Sequence, residues 1–464
     1  MLNRRNAILV FVLALLLRMG FLGITAQEPA GWEAMDSVIY IGLAKGILAT
    51  GEYKRLSDDG SLYTSETERV PGYALYLLSF FALFGDGLLW PLLGQVLIGA
   101  ATAVLTGLLA RELDERLFLT GGVLGALNLN LISHTALILG ETVFVFLFTL
   151  HIWLTTRYLR VPRLSMAVWS GLLLGAALMT RPVVVYWIPV FAVVVFGACL
   201  YARRLWVAAA RHALMAFFAA VLLASPLYLR NYLHYGHWQL LAQNGTNVLY
   251  WYVPLVKDFS LGQPWSAGVQ EMRVTMEREL RDRGMSKLPD NPFDSSELQT
   301  EVGKQELIKL GLGNILYAWT AGATINLFTP SLASVGMLDK MERPRFYKTV
   351  GENFLDKTWN FLTHPDNRVY LILMLPAIFI TVVMRALMLQ GLWRQLCTPW
   401  PARAVLFYYL LVAAYVFVIT GPLVSAARYR MPAETVLTAI TAVGLWTAFK
   451  WLQRQGRRRS STSA

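Results

Sequence analysis

The sequence predicts an all-α polytopic membrane protein, a bundle of about ten to twelve transmembrane helices whose outer loops carry short juxtamembrane helices. Three observations predict it. Of 464 residues, 56% are hydrophobic and only 15% are charged, so the chain cannot cover its apolar surface with polar side chains. Apolar runs long enough to cross a bilayer, roughly 17–25 residues, recur along most of the length. Arginines gather in clusters without acids, at intervals that alternate with those runs.

The first element is "RRNAILVFVLALLLRMGFLG". It has the basic and apolar parts of a signal peptide but no convincing small-residue cleavage site, and reads as an uncleaved anchor helix. Further spans begin near residues 88, 117, 139, 164, 182, 211, 369, 402 and 433. Two more segments are ambiguous. Residues 72–84 are short, and residues 312–329 carry Asn314, Thr320, Thr324 and Asn326. Charge decides their reading. Arg4 and Arg5 place the N-terminus inside. Arg157/Arg160/Arg163, Arg203/Arg204/Arg211, Arg385/Arg394/Arg403 and Arg454/Arg457/Arg458/Arg459 all fall on the cytoplasmic side only if neither ambiguous segment crosses. Ten spans with two outer-leaflet segments is therefore the reading, twelve the alternative. Both termini are then cytoplasmic.

The net charge of +12 is mostly this cytoplasmic fringe, facing anionic membrane lipid. It is not a contiguous basic patch with interleaved aromatics, so no nucleic-acid partner is expected. Cys199 and Cys397 imply no disulfide framework. There is no Walker motif, CxxC, HExxH or GxSxG, and no internal repeat of the kind transporters carry. The outer segments are different in kind. Residues 27–71 hold eight acids and four bases, and residues 229–368 mix both signs with many aromatics. Large outer segments on a spanning protein imply a built site at the outer face. The chain divides accordingly into residues 1–254, a transmembrane catalytic module with the loop 27–71, residues 255–368, an outer region, and residues 369–464, closing helices and a basic tail.

Five stretches carry a resemblance. They are "DSVIYIGLAKGILATGEY…ERVPGYALYLL", with Asp36, Tyr40, Gly51 and Pro71-Gly72-Tyr73; "SHTALILGETVF", ending near Glu141; "GLLLGAALMTRPVVVYWIPV", with Arg181; "SPLYLRNYLHYGHWQLLAQNGTNVLYW", with Arg230, Asn231 and Asn244; and "SAARYRMPAETVL", with Arg428, Tyr429 and Arg430. In order and together they resemble lipid-linked-sugar glycosyltransferases of the protein-mannosyltransferase and aminoarabinose-transferase kind, which have the GT-C fold. Residues 255–368 match nothing in that pattern. The resemblance implies a polyprenyl-phosphate-linked sugar as donor and a hydroxyl of a glycan, glycolipid or protein as acceptor. It also implies a bacterial inner-membrane location with an extracytoplasmic active site.

The chemistry then assigns residues. An acceptor hydroxyl needs a general base, and a phosphate leaving group needs cations rather than a protonating acid. Asp36 is the expected base, against the reading that it merely caps the helix starting at Ser37. Arg181, Arg230, Arg428 and Arg430 are the expected phosphate ligands, since a forked guanidinium suits phosphate, and the resemblance implies the same contact for Arg69, against a solvated loop pair with Glu68. Glu68 and Glu141 are expected to contact donor, acceptor or a divalent metal, the one candidate cofactor. Glu68 competes with a solvated loop pair and Glu141 with a simple helix-dipole role. Tyr40, Asn231, Asn244 and Tyr429 are further cavity candidates. Arg18, inside the first span, costs about 2.5–3.5 kcal/mol there if unpaired, and is expected to snorkel outward or to meet a cavity acid. His134, His234, His237 and His364 lie in outer segments without ligand spacing on a helix. A flippase for lipid-linked sugars, or a non-catalytic scaffold, would share the outer arginines but has no use for Asp36 as a base.

Overall fold

The computed structural model describes residues 4–34, 36–57, 60–334, 354–400, 402–421 and 427–462. Residues 335–353 of the expected outer region and Asp58 and Asp59 of the outer loop lie outside these. Helices dominate, in the order α1 (Arg4–Thr25), α2 (Ser37–Thr50), α3 (Gly72–Phe84), α4 (Leu89–Leu113), α5 (Phe118–Leu127), α6 (Leu129–Ser133), α7 (Glu141–Arg160), α8 (Leu164–Thr180), α9 (Trp187–Tyr201) and α10 (Trp206–Leu222). There follow α11 (Ser225–Tyr235), α12 (Asn244–Asn247), α13 (Val253–Leu261), α14 (Trp265–Asp282), α15 (Pro292–Leu310), α16 (Leu312–Phe328), α17 (Phe354–Thr363), α18 (Arg368–Leu396), α19 (Ala402–Thr420) and α20 (Ala427–Thr462).

Six described helices are long and apolar enough to cross a membrane: α1, α4, α7, α19, and the helices containing α18 and α20. Two further candidates are broken spans. Helix α5 meets α6 at 53°, and α10 meets α11 at 60°. Each break has a local cause. Asn128 leaves the helical path and its side chain accepts from Leu131 N at 3.2 Å, capping a new helix. Pro226 has no N–H to continue α10 and sits at the start of α11, where that loss is harmless. Helices α8 and α9 are shorter but apolar. All ten sequence-predicted spans therefore appear as a helix or a bent pair. The two ambiguous segments are α3 and α16, helices of 13 and 17 residues.

The main core lies among α4, α7, α8, α9, α10, α19 and α20, built on Phe144, Phe148, Trp187, Phe191 and Tyr409. Helices α1, α4 and α5 share a second apolar cluster around Val10, Ala14, Ala103 and Ala126. The outer helices α13, α14 and α15 enclose a separate small core of Leu249, Val253, Met272, Met276, Leu298 and Val302.

The all-α expectation misses one feature. The outer loop contains an antiparallel hairpin, β1 (Lys54–Leu56) with β2 (Leu62–Ser65), pairing Lys54 with Ser65 and Leu56 with Leu62. It lies on α2, where Gly42 makes room: a Cβ there would stand 2.7 Å from Leu56 O. The loop is thus a folded unit of helix and hairpin rather than a polar connector.

Candidate active site

The site is built where α2, the segment before α3, the start of α7, the end of α8 and the start of α20 converge. Pro71-Gly72-Tyr73 does the joining. A Cβ on Gly72 would lie 3.0 Å from Thr180 N and closer still to the Met179 carbonyl, so only glycine lets α3 start against the end of α8. Tyr73 is fully buried and its hydroxyl donates to Gln95 Oε1 at 2.9 Å, while Gln95 Nε2 donates to Thr135 O and Leu137 O. Ser37, at the start of α2, donates from its hydroxyl to Ile138 O at 2.8 Å. These ties place Asp36 beside the turn that leads into Glu141.

Asp36 occupies the N-cap position of α2 but makes no capping hydrogen bond. Its side chain turns to arginines instead. Arg69 Nη2 donates to Oδ1 and Arg428 Nη2 to Oδ2, each at 3.3 Å. Arg428 Nε also donates to Glu141 Oε1, and Arg181 Nη1 pairs with the same oxygen. Residues 33 and 392 positions from Asp36 therefore meet on one carboxylate. Three guanidinium groups face the partly exposed Asp36 and the buried Glu141, and Arg69 also lies 3.9 Å from the exposed Glu68, so the charges of the cluster balance. Tyr40, one turn along α2 from Asp36, is half-buried in the same field. It packs edge-on against Tyr73 at 5.1 Å. Burial raises its phenol above the ordinary value, with Arg181 opposing, so it stays a neutral hydroxyl donor.

Arg69 is positioned by residues that the sequence did not single out. Glu66 Oε1 accepts from Glu68 N at 2.6 Å and Arg69 N at 3.0 Å, and Tyr53 donates to Arg69 O at 3.1 Å. Burial also holds the Tyr53 phenol well above its usual range. Glu68 itself is exposed at the rim, 3.9 Å from Arg69 Nη1. His134 is buried in the field of Glu141, Arg181 and Arg428. Its Nδ1 lies 2.8 Å from Asn130 O, so Nδ1 carries the proton.

Several expected site residues stand elsewhere. Arg430 does not face the cluster. It is 1% exposed, donates to Glu434 at 2.6 Å, to Leu327 O at 3.2 Å and Thr329 O at 3.1 Å, and also to Asn326 O. Glu434, one helical turn on, gathers Asn128 and Asn130 as well, and Arg385 donates to Leu327 O at 3.0 Å. This is a buried polar knot that holds α6, α16, α18 and α20 together. Arg230 lies inside α11 and donates to its neighbour Asn231 and to Glu66 O at 2.9 Å. It shapes the outer loop. Asn231 is buried and holds the Gln239 and Leu240 carbonyls. Asn244 is exposed and donates to Thr300 on α15. Tyr429 is half-buried in the field of Arg428 and Tyr252.

Arg18 neither snorkels nor meets an acid. It is fully buried, donating through Nη1 to Ala14 O at 3.2 Å and Ala126 O at 3.4 Å, while Nε and Nη2 have no partner. As for a metal, Asp36 holds one guanidinium on each oxygen and Glu141 two on Oε1, and three nearby arginines disfavour a divalent ion. The cluster's residues do not fit one. Among the described residues, the group whose ligand atoms do converge is His237, Asp294 and Glu297, on the outer region.

No family model and no curated protein matches the chain. Among solved structures, it is similar to the apo oligosaccharyltransferase of Archaeoglobus fulgidus, at 14% identity and a TM-score of 0.48, over 98% of this chain and 52% of that one. It therefore spans about half the length of that protein. It is also similar to ArnT from Cupriavidus metallidurans in the apo state, at 15% identity and a TM-score of 0.35 over 92% of this chain and 77% of that one. The same protein bound to undecaprenyl phosphate gives 16% identity, a TM-score of 0.35 and coverage of 94% and 77%. At such identities no residue role carries across.

Proposed function

We propose that the protein is an inverting glycosyltransferase of the GT-C kind. It moves a sugar from a polyprenyl-phosphate donor to an acceptor hydroxyl at the extracytoplasmic face of the membrane. The observation that carries this reading is the cluster of Arg69, Arg181 and Arg428 gathered on Asp36 and Glu141, with Asp36 and the arginines still partly open to solvent.

In this reading the donor phosphate draws Arg69 and Arg428 toward itself and loosens their hold on Asp36. The freed carboxylate accepts the proton of the acceptor hydroxyl as its oxygen bonds to the anomeric carbon. The carbon–oxygen bond to phosphate breaks, and its electron pair leaves on the lipid phosphate, which gains a second negative charge. Forked guanidinium groups bind that developing charge better than the starting diester, which is where rate enhancement arises. Glu141 keeps Arg181 and Arg428 aimed at one point, and Tyr40 offers a neutral hydroxyl beside them. A single displacement with the base opposite the leaving group inverts the anomeric centre.

The test is to incubate purified protein with polyprenyl-phosphate sugars and follow retained donor and released lipid phosphate by mass spectrometry. The expected result is donor retention that depends on Arg428, and turnover that depends on Asp36. A protein that moves lipid-linked sugars across vesicle bilayers equally well with Asp36→Asn, and never cleaves them, is a flippase and not this enzyme.

A further inference from the structure

A second group of ionisable side chains stands in the outer region, apart from the arginine cluster. His237 lies in the connection that follows α11. Asp294 and Glu297 lie three residues apart on α15, hence on one face of that helix. His237 Nε2 is 2.7 Å from Asp294 Oδ1, and Nδ1 is 3.6 Å from Glu297 Oε1. One ligand atom from each of the three residues lies within 4.8 Å of the other two.

The surroundings hold these groups in place. The imidazole stacks on Phe293 at 5.5 Å and 15°, and Phe293 is fully buried, so the ring plane is set from below. Gln239 Nε2 donates to Glu297 Oε1 at 2.8 Å and turns that carboxylate toward the ring. Asn291 caps α15 by accepting from Phe293 N at 3.0 Å, and its Nδ2 donates to Tyr235 O at 2.9 Å, which fixes the start of α15 against the end of α11. A ligand with an oriented ring and a carboxylate held by an outer amide has the organisation typical of metal sites.

We propose that His237, Asp294 and Glu297 form a divalent-cation site of the zinc or manganese class, which pins the connection after α11 to α15. One imidazole and two carboxylates favour zinc or manganese over calcium or magnesium, which prefer oxygen alone. Ligand atoms held about 2.0–2.2 Å from one ion stand roughly 3–3.5 Å apart. Asp294 now faces Nε2 and Glu297 faces Nδ1, so an ion on one ring nitrogen requires the exposed carboxylates to turn onto that side of the ring. Water completes the coordination on the open side.

The site also has something to act on. Asn231 Nδ2 donates to Gln239 O and Leu240 O on the same connection, and Ala242 N donates to Thr67 O of the outer loop at 2.9 Å. An ion at His237 therefore anchors one end of a strap whose other end is tied beside Glu66. Its role is structural, and it does not depend on the transferase reading.

The experiment is calorimetric titration of Zn²⁺ into tag-free, chelator-treated full-length protein in detergent, repeated with Mn²⁺, Ca²⁺ and Mg²⁺. The expected result is one equivalent of Zn²⁺ per chain, with affinity lowered at least about tenfold in both His237→Ala and Glu297→Gln. Glu297 is exposed, so its amide variant keeps the fold and guards against a trivial loss in the first. Zn²⁺ is also expected to raise the thermal midpoint of the native protein and not that of His237→Ala. Absence of a stoichiometric equivalent, unchanged affinity in both variants, or tighter Ca²⁺ than Zn²⁺ binding overturns the proposal.

Discussion

Two arginine–carboxylate assemblies lie within two residues of one another on α20, and they are opposites. Arg428 joins Asp36 and Glu141 in a setting where Asp36 and Arg428 keep 33% and 26% of their side-chain surface. Arg430 joins Glu434 with 1% and 4%. The first assembly keeps part of Asp36, Arg181 and Arg428 open to solvent. The second has its carboxylate fed by asparagines and its guanidinium by backbone carbonyls. The lesson is that charge and proximity do not make a binding site. An arginine whose donors are all committed to buried acceptors is a structural bolt, and one that also holds a partly exposed carboxylate, as Arg428 holds Asp36, can be drawn away by an anion.

The largest effect expected from this contrast is on stability. Arg430→Met leaves Glu434 buried without its partner, which costs about 3–5 kcal/mol. Purified protein should show a greatly lowered thermal midpoint and poor yield, and adding Glu434→Leu should restore much of both. If Arg430→Met is stable but fails to bind donor, the two assemblies have been assigned the wrong way round.

The next effect is on chemistry alone. Asp36→Asn removes the base and keeps the shape, so transfer should fall at least about a hundredfold while donor binding and thermal midpoint stay near native. Turnover within a few-fold of native in a single-turnover assay would mean that Asp36 only organises Arg69 and Arg428.

This difference was only partly legible in the sequence. Apolar runs located each helix or bent pair that is a candidate span among the described residues, because length and hydropathy are local properties. Glu434 was legible too: it stands four residues after Arg430, the spacing at which helical side chains meet, and their pairing accounts for Arg430 without any ligand. What no local pattern reveals is that Arg428 reaches Glu141 and Asp36, 287 and 392 positions away. That contact depends on how α7, α20 and the loop pack. Arg18 escaped for the same reason, since its carbonyl partner at Ala126 is set by the close packing of α1 on α5. The hairpin at Lys54–Leu56 and Leu62–Ser65 is too short to show a strand period.

A smaller effect separates charge from geometry within the exposed assembly. Arg428→Lys retains one positive charge but cannot reach Asp36 and Glu141 as a planar fork does. Donor affinity should weaken about tenfold in a binding assay, with a thermal midpoint much closer to native than that of Arg430→Met. Equal losses of stability in the two variants would erase the distinction drawn between them.

The smallest effect compares two acids in the outer loop. Glu66 holds the amides of Glu68 and Arg69 through one oxygen, and through its own carbonyl it accepts from Arg230. Glu68 is exposed and only 3.9 Å from Arg69 at its nearest. Removing the Glu66 carboxylate as Glu66→Ala loosens the turn that aims Arg69 at Asp36, without touching either group. Hydrogen bonds to a charged group contribute about 1.5–3 kcal/mol each, but solvent replaces part of that in a half-buried loop. Transfer should fall by no more than about tenfold, chiefly through weaker donor binding. Glu68→Ala loses a solvated pair of the sort worth about 0–1 kcal/mol, and should change transfer by no more than about twofold. The comparison is read from the two variants' donor affinities measured side by side. If Glu68→Ala proves the more damaging, Glu68 touches the donor directly, and the exposed rim of the loop belongs to the binding site along with the arginines behind it.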